Sequence, residues 1–202
     1  NEIDKFENCL KKLITELCNE FRSTDPDISI EFQKINVPQT IIDKNTTLAL
    51  TKAIYACPDG IIRLSPDMPG IVETSSNLAI VKSDAGKIKI ASLQRSSIDS
   101  AKMSVAYSIG AAFELANAEV EHEGEYPGWK PDVNSPILNT MKEAYNTKFG
   151  KVPEVKVIHA GLECGIIGAG SGKQLEMISF GPTIRYPHSP DEKVNIKTVE
   201  LF

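Results

Sequence analysis

Ile3, Phe6, Leu10, Leu13, Ile14, Leu17 and Phe21 recur at the spacing of one helix face, with lysines and glutamates between them. This predicts an amphipathic helix that stops at "STDPD", Ser23 to Asp27, because proline cannot continue it. "ISIEFQKI" then alternates apolar and polar residues, the period of a half-buried strand. A second helix is predicted from Asp43, a good N-cap, to about Ala56, before "CPDG" turns the chain. "IVETSSNLAIVKSDAGKIKIASLQRS" predicts two antiparallel strands joined at "DAG". A third helix follows from about Ser97 to Leu115, with Ile98, Ala101, Val105, Ile109 and Phe113 on one face, and "NAEVEHEG" reads as a short closing strand. That order predicts an α+β domain, an antiparallel sheet with helices on one face.

The grammar changes after "EGEYPGWKPDVNSP", whose prolines and glycines mark a boundary near residue 125. Ser135, followed by Pro136 in the first turn, opens a helix to about Phe149. "EVKVIHA" predicts a strand, "GLECGIIG" a glycine-flanked turn into a short helix, and "LEMISFGP" another strand. "RYPHSPDEKVNI" reads as a loop, with a final helix from near Asn195. This second part is α/β but too small for a whole doubly wound domain. The chain opens inside a helical pattern at Asn1 and closes at "VELF" with an apolar pattern still running, so it reads as a piece of a longer protein. Strands cut off from their neighbours would leave apolar surface exposed.

Composition narrows the function. The 202 residues are 41% hydrophobic and 24% charged, ordinary for a globular protein, with a formal net charge of -5. An acidic chain without a basic stripe argues against nucleic acid or a membrane surface as partner. No apolar run reaches the roughly 18 residues of a membrane span, and no charged-then-apolar leader opens the chain. Cys9, Cys18, Cys57 and Cys164 form no C-x-x-C pair, which favours idle thiols in a reducing cytoplasm.

The chemical candidates are few. "GAGSGKQ" lacks the first glycine of a phosphate loop, where Ile167 stands, and has Gln174 in place of the metal-binding Ser or Thr; a flexible turn is the simpler reading. His122, among Glu119, Glu121, Glu123 and Glu125, reads as part of a solvated acidic strand end. His159 and Cys164 have the residue types of a base and a nucleophile, but nothing else supports that pairing. His188, in "PHSPDE", lies between stiffening prolines with two acids after it, either as an exposed loop histidine or as one ligand of an incomplete metal site.

Five stretches carry a resemblance: "PGIVETSSNLAIV", "SLQRSSIDS", "YPGWKPDVNSP", "VIHAGLECGIIG" and "MISFGPTIRYPHSPDE", in that order from Pro69 to Glu192. Together they resemble the aminoacyl-histidine (cytosol non-specific) dipeptidases of the carnosinase-like family of dinuclear zinc peptidases. The resemblance implies that residues 1–122 are most of a lid, incomplete at its N-terminus, and that 123–202 are the C-terminal portion of the zinc-peptidase domain. It implies a cytoplasmic enzyme hydrolysing unblocked dipeptides, X-His included, with two zinc ions (or cobalt or manganese) activating a water. The catalytic glutamate and the other metal ligands would lie upstream, leaving this chain inactive by itself.

The resemblance also distributes roles. His188 matches the family's last zinc ligand. His159 and Glu163 would bind or orient the dipeptide, Glu163 through its free amino group. Arg95 would grip the terminal carboxylate, for which a planar guanidinium fork is suited. Arg185 would contribute to the pocket or tie down the His188 loop. A homodimer through the lid is a further implication. The rival reading is a non-catalytic peptide-binding or dimerising module derived from the same family.

Overall fold

The computed structural model describes residues 2–130, 132–157, 162–173 and 175–201. The chain forms two compact units, residues 1–42 and 43–202. In the first, α1 (Glu2–Glu20) is the helix expected from the pattern; a single 3-10 turn (Phe21–Ser23) closes it ahead of "STDPD". The expected strand "ISIEFQKI" does not form. Residues 28–35 run without regular structure, held to α1 by an ion pair between Lys34 and Glu7 (2.6 Å) and by the Cys18 thiol, 3.9 Å from the Ile28 carbonyl. Alternation predicts a strand only where a neighbouring strand can take the backbone hydrogen bonds. Among the described residues none lies beside it in a sheet.

The second unit opens with α2 (Lys44–Ala56), capped as expected: the Asp43 carboxylate accepts the N–H groups of Asn45 and Thr46, both at 3.0 Å. Three antiparallel strands follow in the order β1 (Gly60–Leu64), β2 (Val72–Asp84), β3 (Lys87–Ser96). β1 was not foreseen, because the "CPDG" turn hid the short "GIIRL" behind it. The β2–β3 hairpin turns at Ala85 and Gly86, both left-handed with φ of 47° and 78°, which explains the glycine in "DAG". The polar start of β2 is buried. Glu73 is gripped by the Arg63 guanidinium from β1, and the Thr74 hydroxyl, 1% exposed, meets that of Ser96 at 2.9 Å across the ladder.

Helix α3 (Asp99–Glu114) lies on β2 and β3, and α2 packs on α3. Val105, Ile109 and Phe113 of the expected face meet Ala53 and Cys57 from the α2 end, with Leu78, Ile90 and Val120 around them. Burial, with Asp59 nearby, pushes the Cys57 thiol up from its ordinary range. "NAEVEHEG" forms no strand. Instead Val120 and His122 pass over Gly110, and the His122 ring meets Tyr107 edge-on at 5.6 Å, so packing accounts for this histidine.

Helix α4 (Pro136–Phe149) starts where expected, with the Ser135 hydroxyl accepting the Leu138 N–H and Gly150 left-handed at its end. Helix α5 (Leu162–Ser171) runs through "GAGS", which corrects the reading of that stretch as a turn; only Gly172 is left-handed. Of the strand expected at "EVKVIHA", residues 158–160 lie outside the described residues; neither the stretch 154–157 nor "LEMISFGP" is part of any sheet among the described residues. The "RYPHSPDE" loop proves to be the tip of a small hairpin, β4 (Ile184–Arg185) with β5 (Lys193–Val194), and α6 (Ile196–Val199) is a single turn. Among the described residues the structure is therefore mixed α+β, with a three-stranded antiparallel sheet, a two-stranded hairpin and six α-helices. None of its described helices is long and apolar enough to cross a membrane.

Candidate functional site

The "YPGW" tetrapeptide, Tyr126 to Trp129, joins the elements that carry two of the candidate residues. Gly128 lies so close to the end of β3 that a Cβ there would stand 2.7 Å from the Ser96 carbonyl oxygen and 2.9 Å from that of Ser97. A Cβ on Gly165 of α5 would stand 2.8 Å from the Pro127 carbonyl oxygen. Arg95 precedes Ser96 on β3, opposite Ser75 of β2, and Glu163 lies in the first turn of α5. Both side chains are exposed.

The tetrapeptide is fastened by α3. One oxygen of the Asp99 carboxylate accepts the Gly128 N–H at 2.8 Å and the Lys102 ammonium at 3.1 Å. Lys102, 8% exposed, also donates to the Tyr126 carbonyl at 2.5 Å, lies 3.6 Å from the Glu125 carboxylate and sits over the Tyr126 ring. The ammonium therefore reaches the interior with its donors satisfied. The Gly128 N–H, and then Lys102, hold the Asp99 carboxyl below its usual range against some desolvation. Next to this joint Lys130 pairs with Asp67 at 2.7 Å, and that bond raises its pKa. Asp99 and Lys102 were not singled out in the sequence; the available signal was an acid at a helix start just before a lysine three residues on.

Arg185 and His188 lie together on the second hairpin. Tyr186 and His188 are both left-handed, with φ of 54° and 63°, which places the histidine at a sharp corner. The tip is closed by its own residues: the His188 N–H donates to the Glu192 carboxylate at 3.0 Å and the Ser189 hydroxyl to the Tyr186 carbonyl at 2.8 Å. Behind it, Asn195 donates to the Thr183 carbonyl and Thr183 to the Thr198 hydroxyl. His159 lies outside the described residues. Among the described residues no hydrogen bond or ion pair engages the side chains of Arg95, Glu163, Arg185 or His188, and no three His, Cys, Asp or Glu side chains are gathered as a metal site.

A cavity of about 850 Å³ among the described residues lies elsewhere, bounded by Trp129, Leu138, Met141, Tyr145, Phe180 and Leu201 among others. It includes none of the four described candidates. A smaller one of about 260 Å³ adjoins Arg185 and Lys193.

No protein-family model matches the sequence. Individual proteins do. Cytosol non-specific dipeptidase of Escherichia coli (strain K12) is 37% identical over 183 residues, 91% of this chain and 38% of that protein. The crystal structure of aminoacylhistidine dipeptidase from Vibrio alginolyticus superposes with a TM-score of 0.83 at 37% identity, over 98% of this chain and 40% of the other. Identity at this level and a shared backbone over nearly the whole chain have one economical explanation. The chain is homologous to the cytosol non-specific, or aminoacylhistidine, dipeptidases, and spans about 40% of their length.

Proposed function

We propose that this chain supplies the lid, residues 1–122, and the C-terminal segment of the catalytic domain, residues 123–202, of a cytoplasmic dipeptidase acting on unblocked dipeptides, X-His among them. The observation that carries the proposal is the homology to dipeptidases over nearly the whole chain. In this reading Arg95 binds the terminal carboxylate of the dipeptide, Glu163 holds its free amino group, and His159 helps to bind or orient it. The backbone amides of the "HAGLECG" turn serve the terminal carboxylate or the developing oxyanion. Arg185 steadies the hairpin, and the lid pairs two copies into a homodimer.

The cofactor of the proposed enzyme is zinc, with cobalt or manganese as substitutes. A zinc site takes three or four protein ligands. The described residues offer His188 alone; Glu192 beside it is engaged by the histidine's own N–H. This chain by itself does not fit the metal. Its part is to bind and orient the dipeptide and to present one ligand, so the isolated chain is expected to be inactive.

The test is hydrolysis of alanyl-histidine in the presence of zinc, by this chain and by the product of its complete gene. Activity is expected only in the latter, and His188→Ala there should lower it by at least about 100-fold, since even the partners behind metal ligands are worth 10- to 100-fold. If neither protein hydrolyses the peptide, the non-catalytic binding or dimerising module takes the place of the enzyme.

A further inference from the structure

We propose that Asp99 is a positioning residue: by accepting the Gly128 N–H it holds "YPGW" against the end of β3 and thereby sets the start of α5, with Glu163, relative to Arg95. The consequence for substrate rests on the dipeptidase reading; the local mechanics does not.

The joint grips main chain. Asp99 takes an N–H and Lys102 a carbonyl, two residues apart on one short segment, and the two side chains are tied to each other. A gripped backbone is located whatever its side chains do. The position then passes on through two contacts that leave no space for a side chain, Gly128 on the Ser96 and Ser97 carbonyls and Gly165 on the Pro127 carbonyl. Arg95 is one residue from the first contact and Glu163 two residues from the second. Groups that bind opposite ends of a dipeptide must keep a fixed separation, and a misplacement of about 1 Å can cost on the order of 100-fold in rate.

Trp129, the sole tryptophan, follows Gly128 directly and faces the larger groove, so its emission reports whether the segment is seated. Asp99→Ala removes the acceptor. Asp99→Asn keeps an oxygen for the Gly128 N–H while losing the charge that pairs with Lys102. Expected in the complete gene product is an alanyl-histidine kcat/KM lowered about 10- to 100-fold by Asp99→Ala, mainly through KM, with Trp129 emission shifted to the red, and near-normal values of both in Asp99→Asn. A role in stability alone would lower the melting temperature but leave KM unchanged and Trp129 where it was.

An Asp99→Ala enzyme with unaltered KM and emission overturns the proposal, as does an Asn variant as impaired as the Ala one. If the unmutated gene product does not hydrolyse the dipeptide, the functional reading fails, and Trp129 emission in the variants of this chain still decides the mechanics. Should Asp99→Ala fail to fold, hydrogen exchange at the Gly128 amide of the unmutated chain decides: strong protection supports the joint, and exchange at the rate of a free peptide overturns it.

Discussion

Residues 43–120 and residues 132–201 contain comparable apolar patterns and use them differently. In the first stretch strands pair and α3 closes over them, and every buried core residue named among the described ones, Ala53, Cys57, Val105, Ala106, Ile109 and Phe113, lies there. In the second, α4 forms to its expected length and α5 runs on through "GAGS", yet Val152, Ile166, Ile167, Phe180 and Ile196 are each more than half exposed. Local signals suffice for a helix, whose backbone bonds are internal. A strand needs another strand, and residues 154–157 and "LEMISFGP" lie in no sheet among the described residues. The apolar exposure expected there is present among the described residues.

The contrast can be tested by truncation. Phe113→Ala should destabilise the protein by about 3–5 kcal/mol, since it opens a cavity in the packed core of α2, α3 and the sheet, whereas Ile196→Ala, 74% exposed, should cost no more than about 0.5 kcal/mol. Denaturant unfolding would show it, and equal costs would abolish the distinction between the regions.

A smaller effect is expected at the helix start that the second region does secure. Ser135 is 4% exposed and caps α4, so Ser135→Ala should cost about 1 kcal/mol, seen as faster amide exchange in residues 137–139 and not in α3. Loss of protection in α3 as well would mean that the two regions unfold as one.

The smallest expected effect is in pH. The folded-state pKa of Asp99 is depressed, so its contribution is complete above the unfolded value, near 3.9, and is lost as pH falls through the lower folded value. The other charged groups at the joint are Lys102, which donates to the Asp99 carboxylate, and Glu125, 3.6 Å from that ammonium. Trp129 emission should therefore be flat from pH 7 to about 5 and move only below about 4. A transition near neutrality would assign the joint to a different group.

The candidate site was legible unevenly. His188 and Glu163 stand out as polar residues in apolar, glycine- and proline-rich settings, and Arg95 ends a clear strand pattern. The joint between them was not legible, because Asp99 and Lys102 look like an ordinary i, i+3 pair on a helix until Gly128, 29 residues later than Asp99, comes to rest on it. The "PHSPDE" hairpin was read as a loop because its two paired residues on each side are too short to show a period.

Sequence alone determined α1 to α4, the Asp43 and Ser135 caps and the "DAG" hairpin, each governed by spacing and by side chains within a few residues. The resemblance to dipeptidases, too, was carried by short runs of residues read in order. Tertiary structure decided which alternating segments became strands, that Glu73, Thr74 and Lys102 would be buried polar groups with partners, and that "YPGW" would join β3, α3 and α5. Those outcomes depend on contacts between residues far apart in the chain, and hydrogen-bond partners and close backbone approach are properties of the packed molecule.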